Sequence, residues 1–230
     1  MKQTLVNGLP ALNLNLTPAQ VDTLCAFGDA LLEKNQVMNL TAIKTPEGVA
    51  QLHFLDSLAL LGACSFAGKS VIDVGCGAGF PGVPLKIGCP EMNLTLLDSL
   101  GKRMDWLRQV LPSLQVEANV VTARAEEYAA DYREAYDLCV SRAVARLNIL
   151  AELCLPLVKV GGKFLAMKGA QTREEAEEAK AAIGHLGGKI AGFYEYSVAD
   201  ATHYAVIIEK VKPTPAQYPR AFAKIKKSPL

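Results

Sequence analysis

The chain contains no run of 18 apolar residues and no apolar N-terminal signal segment, so neither a membrane-spanning helix nor secretion is expected. It carries little net charge: 24 Lys and Arg stand against 23 Asp and Glu, giving +1. That excludes a uniformly basic nucleic-acid coat, but not a local basic patch. The six cysteines, at positions 25, 64, 76, 89, 139 and 154, include no C-x-x-C pair and fall mostly in apolar segments. They read as reduced, buried thiols of a cytoplasmic protein, not as a disulfide framework or a zinc site. The three histidines, His53, His185 and His203, lack metal-ligand spacing and are expected to be structural. There is no internal repeat and no low-complexity segment.

What is present is ample core material: 230 residues, half of them apolar, enough for one large domain with an appended piece. Thr17-Pro18-Ala19-Gln20 is a helix start, with Thr17 as N-cap and Gln20 completing a capping box. A second start lies at Thr45-Pro46-Glu47, with helical apolar spacing to about residue 62. Residues 1–65 thus form a small N-terminal helical extension, and 66–230 the main domain. From about residue 68 the pattern alternates. Strands are expected near 70–75, 93–98, 116–122, 136–141 and 162–168, with helices near 81–88, 101–111, 125–131 and 146–158 between them. This argues an α/β domain with a parallel sheet covered on both faces. After an acidic helix at 171–184, strands near 189–198 and 203–211 are joined too closely for a crossover and must pair antiparallel. The expected result is a seven-stranded, mostly parallel, Rossmann-like sheet with an antiparallel terminal hairpin, which resembles the sheet of class I methyltransferases dependent on S-adenosylmethionine (AdoMet).

The most informative stretch is Val71–Pro84, VIDVGCGAGFPGVP. It reads as a buried strand, a turn with Gly75, Gly77, Gly79 and Gly82, and then a helix. Such a unit presents backbone N–H groups to a nucleotide-type ligand. Gly77-x-Gly79-x-x-Gly82 matches the dinucleotide pattern, a weak signal alone. D-V-G-C-G-A-G, with Asp73 on the strand, resembles motif I of class I AdoMet-dependent methyltransferases. The Asp73 carboxylate could meet the ligand's ammonium group, directly or through water. Asp98 ends the second strand 19 residues after Gly79, where an acid can accept ribose hydroxyls; the bland alternative is a strand-end cap. Ala125 and Glu126 follow the third strand, where they can hold adenine or simply start a helix. Arg142 and Lys168 end the fourth and fifth strands, on the rim where ligands bind. They are the expected substrate-positioning groups, with Arg142 also reaching the donor; solvation is the alternative for Lys168. The tail from Lys210 to Leu230 has six basic residues and no acid. Arg220, Lys224, Lys226 and Lys227 are expected to meet RNA phosphates, with Tyr218 and Phe222 available for stacking.

Further absences narrow the chemistry. No G-x-S-x-G is present, no cysteine pair suits covalent pyrimidine chemistry, and no Asp/Asn/Ser-Pro-Pro-aromatic run marks exocyclic amine methylation of adenine. A transferase needing no strong base fits better. Guanine N7 is such a target, since its in-plane lone pair attacks without prior proton loss. Catalysis then rests on positioning and electrostatics.

N-L-T-A-I (39–43), H-F-L-D-S-L (53–58), D-V-G-C-G-A-G-F-P-G (73–82), L-L-D-S-L-G-K-R (96–103), S-R-A (141–143), K-G (168–169) and the ending Y-P-R…K-S-P-L together resemble the RsmG (GidB) family of bacterial 16S rRNA guanine-N7 methyltransferases. The resemblance runs from about residue 35 to the C-terminus, and F-P-G and L-D-S-L-G-K-R are its specific marks. Residues 221–227, AFAKIKK, lack the Gly and Pro of the family's ending. The resemblance implies AdoMet as cofactor, bound at Gly75, Phe80, Ala125, Glu126 and Arg142 with Asp98 on the ribose. It implies 16S rRNA or a small-subunit particle as partner, and a cytoplasmic monomer without a membrane. The competing readings are a small-molecule methyltransferase, an NAD(P)-dependent oxidoreductase using the glycine pattern, and a non-catalytic AdoMet-sensing or RNA-binding module.

Overall fold

A computed structural model describes residues 1–142, 145–169 and 171–230. Seven strands form one sheet: β1 Ser70–Val74, β2 Asn93–Asp98, β3 Asn119–Thr122, β4 Tyr136–Arg142, β5 Val158–Lys168, β6 Gly188–Val198 and β7 Ala201–Lys210. Their order is β3-β2-β1-β4-β5-β7-β6. The β1–β5 neighbours pair parallel. Strand β7 enters antiparallel between β5 and β6, as the short connection requires. That connection is tighter than expected. Ala199 and Asp200 both take positive φ, at 51° and 60°, the two-residue geometry that matches strand twist. Strand β5 also starts earlier than expected: Val158 already pairs with Tyr136, so Lys159-Val160-Gly161-Gly162 lies inside the strand.

Helices cover both faces. The pleat sends successive side chains to opposite sides. Val71 therefore joins a core with the N-terminal helices and with helices Gly82–Gly88 and Gly101–Ser113. Ile72 joins a second core with helices Ala125–Asp131, Leu147–Cys154 and Thr172–His185, and with Ile225 of a last helix, Phe222–Lys227.

The N-terminal part folds onto the first face. Lys2–Gly8 is helical, and the long helix Pro18–Met38 carries the capping box, with Gln20 N–H donating to Thr17 Oγ1 and Thr17 N–H to Gln20 Oε1. The Gln20 amide also reaches Ile87 O at 2.8 Å, joining extension to sheet domain. Leu5, Leu24, Phe27 and Phe54 share one buried core with Val71 and Leu96. The segment 46–62 is a rod, but not a regular α-helix. It begins as Pro46–Val49, widens to a π-helix over Ala50–Leu55, and ends as a 3₁₀ turn over Ala59–Gly62. Such widened turns are frequent at functional sites. No helix among the described residues is long and apolar enough to cross a membrane.

Candidate active site

Carboxyl ends of β1, β2 and β4 converge on a cavity of about 440 Å³, within the range of small-molecule sites. The turn after β1 supplies its floor. Gly75 and Gly77 lie at φ 72° and 56°, open to glycine at little cost, and both line the cavity. Asp98 stands beside them. Its Oδ2 accepts the Gly77 N–H at 2.9 Å and its Oδ1 the Leu100 N–H at 2.9 Å. A carboxylate has about four acceptor sites, so two remain for hydroxyl donors. Ala125, Glu126 and Leu153 form the far wall with Phe222, whose ring lies under the Arg124 guanidinium at 5.8 Å. Phe80, His53 and Arg142 form the opposite wall.

Two residues expected at the cofactor, Asp73 and Gly79, do not line this cavity. Asp73 is fully buried beneath the turn, with Oδ2 accepting the Gly82 N–H at 2.7 Å. Burial pushes its pKa up to about 7, against that hydrogen bond and the Arg142 charge. The helix N-terminal N–H at Gly82 is thus taken by Asp73, not offered to a ligand. Gly79 is a packing residue; an added Cβ would meet Val83 at 2.6 Å, and its φ of 93° suits glycine. The turn reads as one motif in sequence, yet Gly75 and Gly77 face the cavity while Gly79 and Gly82 clear room for helix and carboxylate.

Arg142 is placed by the rod over 46–62. Its guanidinium donates to Asp56 Oδ2 at 2.9 Å, Leu52 O at 3.0 Å and His53 Nδ1 at 2.9 Å, and lies over the Phe80 ring at 5.2 Å. His53 stacks on Phe80 with ring centroids 4.3 Å apart. Because Nδ1 accepts from Arg142, the ring proton sits on Nε2, 2.7 Å from Thr41 Oγ1. Burial, and then the Arg142 charge, holds the ring neutral, with its pKa lowered to about 3. His53 is therefore more than structural: the expectation from sequence missed that it forms a wall of the site. H-F-L-D-S and N-L-T-A-I carried the signal, since Thr41 of the second meets His53 of the first, which meets Arg142, but neither motif states a role. Ala143, the last residue of S-R-A, lies outside the described residues.

Lys168 is not solvated. Its ammonium donates to Ala145 O at 2.5 Å and Glu175 Oε1 at 3.1 Å, and it lines a neighbouring cavity with Arg142. The tail divides. Lys210 is buried, donating to Glu134, Leu155 O and Val158 O. Arg220 makes a bidentate pair with the fully buried Glu152, at 2.7 and 2.6 Å, so it anchors the tail and is not a free RNA contact. Lys224, Lys226 and Lys227 are exposed. Phe222, expected to be available for stacking on RNA, instead lines the large cavity.

This sheet order, with an antiparallel penultimate strand and a glycine turn opposite an acidic strand end, defines a class I AdoMet-dependent methyltransferase. Solved structures agree on the fold. TrmN from Thermus thermophilus superposes with a TM-score of 0.55 at 16% identity, covering 68% of this chain and 48% of that one. A precorrin-6y C5,15-methyltransferase from Geobacter metallireducens gives 0.50 at 15%, covering 67% and 87%. The model of rRNA small subunit methyltransferase G, GidB, matches residues 20–198. Ribosomal RNA small subunit methyltransferase G of Alkaliphilus oremlandii is 47% identical over 237 residues, covering 100% of this chain and 99% of its own. That of Acetivibrio thermocellus is 45% identical, covering 100% and 97%. The chain belongs to the rRNA small subunit methyltransferase G family, and AdoMet is its methyl donor.

Proposed function

We propose that the chain transfers the AdoMet methyl group to N7 of a guanosine in 16S rRNA, presented as free RNA or as a small-subunit particle. The observation that supports the N7 assignment is that the imidazole on the donor cavity is not free to act as a base, while the cavity's carboxylates, Asp98 and Glu126, are assigned to ribose and adenine. His53 is its only imidazole among the described residues; both ring nitrogens are engaged and its pKa is held near 3. An acceptor that must lose a proton first would find no partner there; guanine N7 needs none.

The cavity's chemistry fits AdoMet. Asp98 has acceptor sites left for the ribose hydroxyls. Ala125, Leu153 and Phe222 offer apolar surface for adenine beside Glu126. The buried Asp73 Oδ1 has no partner among the described residues, a vacancy that an ammonium group or a bridging water would fill. Phe80 and Arg142 close the methyl-bearing end. When bound, AdoMet supplies an electrophilic methyl on a sulfonium; the chain's part is to hold N7 in line with it and to exclude water.

The remaining assignments rest on the same reading. The extension over 1–65 supplies Thr41, His53 and Asp56 to a domain over 66–230. The protein acts as a cytoplasmic monomer. Purified protein, AdoMet and unmodified 16S rRNA or 30S particles should yield 7-methylguanosine in nucleoside digests. Methyl label confined to other atoms would overturn the N7 assignment.

A further inference from the structure

Beside the donor cavity lies a smaller one, of about 210 Å³, lined by Asp56, Arg142, Lys168, Gly169, Tyr196 and His203. It is below the ~300–1,000 Å³ of drug-sized sites and suits one ring system. Arg142 is the side chain both cavities share.

Its polar groups are buried or half-buried and only partly used. The Asp56 carboxylate accepts from Arg142 at 2.9 Å and from the Tyr196 hydroxyl at 2.9 Å, with His203 Nδ1 at 3.3 Å. That leaves about one of its four acceptor sites. Lys168 has placed two of its three N–H groups. His203 Nε2 is buried with no partner among the described residues. An acceptor, a donor and an orphaned ring nitrogen thus face one small space, where unmet polar groups are costly.

We propose that this second cavity receives the acceptor guanine, an assignment that rests on the N7 reading above. Guanine presents its O6 acceptor next to its N1–H donor; adenine presents the reverse. The free Lys168 N–H suits O6, and the remaining Asp56 site suits N1–H. Adenine would set its N1 lone pair against the carboxylate. With that edge held, N7 faces the wall shared with the donor. Its lone pair forms the bond to the methyl carbon as the carbon–sulfur bond breaks. The electron pair stays on sulfur, leaving neutral S-adenosylhomocysteine, and the base gains one positive charge with no proton lost. The Asp56 carboxylate stabilises that charge electrostatically. Lys168 and Asp56 are thereby guanine-contacting residues, and Tyr196 and His203 position Asp56.

Gly169 gives a test that spares the fold. A Cβ there meets nothing within 4 Å, so Gly169→Leu adds bulk at the cavity lining without a clash at its first atom. Lys168→Met removes the O6 donor, and Lys168→Arg restores one. The readouts are melting temperature, AdoMet affinity by calorimetry, and single-turnover methyl transfer to 16S rRNA. Gly169→Leu should slow transfer about 100-fold through misplacement of the base, while AdoMet affinity stays within about twofold. Lys168→Met should slow it roughly 10- to 100-fold, the worth of a charged hydrogen bond, with partial rescue in Lys168→Arg. Wild-type rates in Gly169→Leu and Lys168→Met would overturn the guanine assignment while 7-methylguanosine in the wild-type digest leaves the N7 reading standing. No 7-methylguanosine from the wild type would remove both.

Discussion

Asp73 is the residue through which donor binding should depend on pH if, as proposed, it meets the ammonium group of AdoMet. Its folded pKa of about 7 stands above the ordinary 3.8. Between those values the folded chain keeps a proton that the unfolded chain has released, so this group's contribution to stability falls as pH rises from about 4 to about 7. An ammonium placed at Oδ1 favours the ionised form. AdoMet binding below pH 7 should therefore release a proton and tighten as pH rises toward 7. Calorimetry in two buffers of different ionisation enthalpy would detect that proton; identical heats would rule out ammonium contact. Asp73→Asn should abolish the buffer dependence and weaken binding by about 1.5–3 kcal/mol, the range for a charged hydrogen bond. In sequence, Gly79 looked like a ligand contact and Asp73 like a residue open to the cavity, because spacing gives proximity to a turn, not direction. Which side of the turn a carboxylate enters depends on the Gly82 N–H and on Val83 and Leu107 packed behind Gly79.

At the scale of the element, the last helix links donor site and surface. Phe222 lines the cavity, Ile225 is fully buried, and the lysines point outward. Phe222→Ala should cost ~1–2 kcal/mol of AdoMet affinity by removing an aromatic wall, with little change in melting temperature because Ile225 and the Arg220–Glu152 pair still hold the tail. An unchanged dissociation constant would return Phe222 to the surface. The strands and most helices were legible, since period-2 and period-3.6 patterns are local. The reversal between the last two strands was legible from its short connection, but its two-residue tightness at Ala199-Asp200 was not, because alanine rarely takes positive φ. Nor was the widened turn over Ala50–Leu55, whose apolar spacing is nearly helical. The tail misled for another reason: charge counts cannot tell Lys224, which is exposed, from Lys210, which is buried against Glu134.

For the whole molecule, a net charge of +1 leaves RNA binding to local clusters. Replacing Lys224, Lys226 and Lys227 by Ala should weaken 16S rRNA binding and flatten its logarithmic salt dependence by about 2–3, with AdoMet affinity intact. An unaltered slope, measured by titration across salt concentrations, would exclude these lysines from the interface. The core argues that extension and sheet domain fold as one body, because Leu5, Phe27, Val71 and Leu96 share it. Sequence periodicity gave two regions there, since it records which residues are apolar and not what covers them.

The widened turn over Ala50–Leu55 makes chain length a variable of its own. Each helical residue advances about 100°, and a π turn holds one residue more than an α turn. A single residue lost from it could close the rod into a regular helix with Asp56 keeping nearly its direction, but one lost or gained where the rod is regular would turn Asp56 by about 100° relative to everything before it. The docking of Leu5 and Val49 in the core and the grip of Arg142 on Leu52, His53 and Asp56 could not then both be kept. The segment can change its letters far more freely than its length.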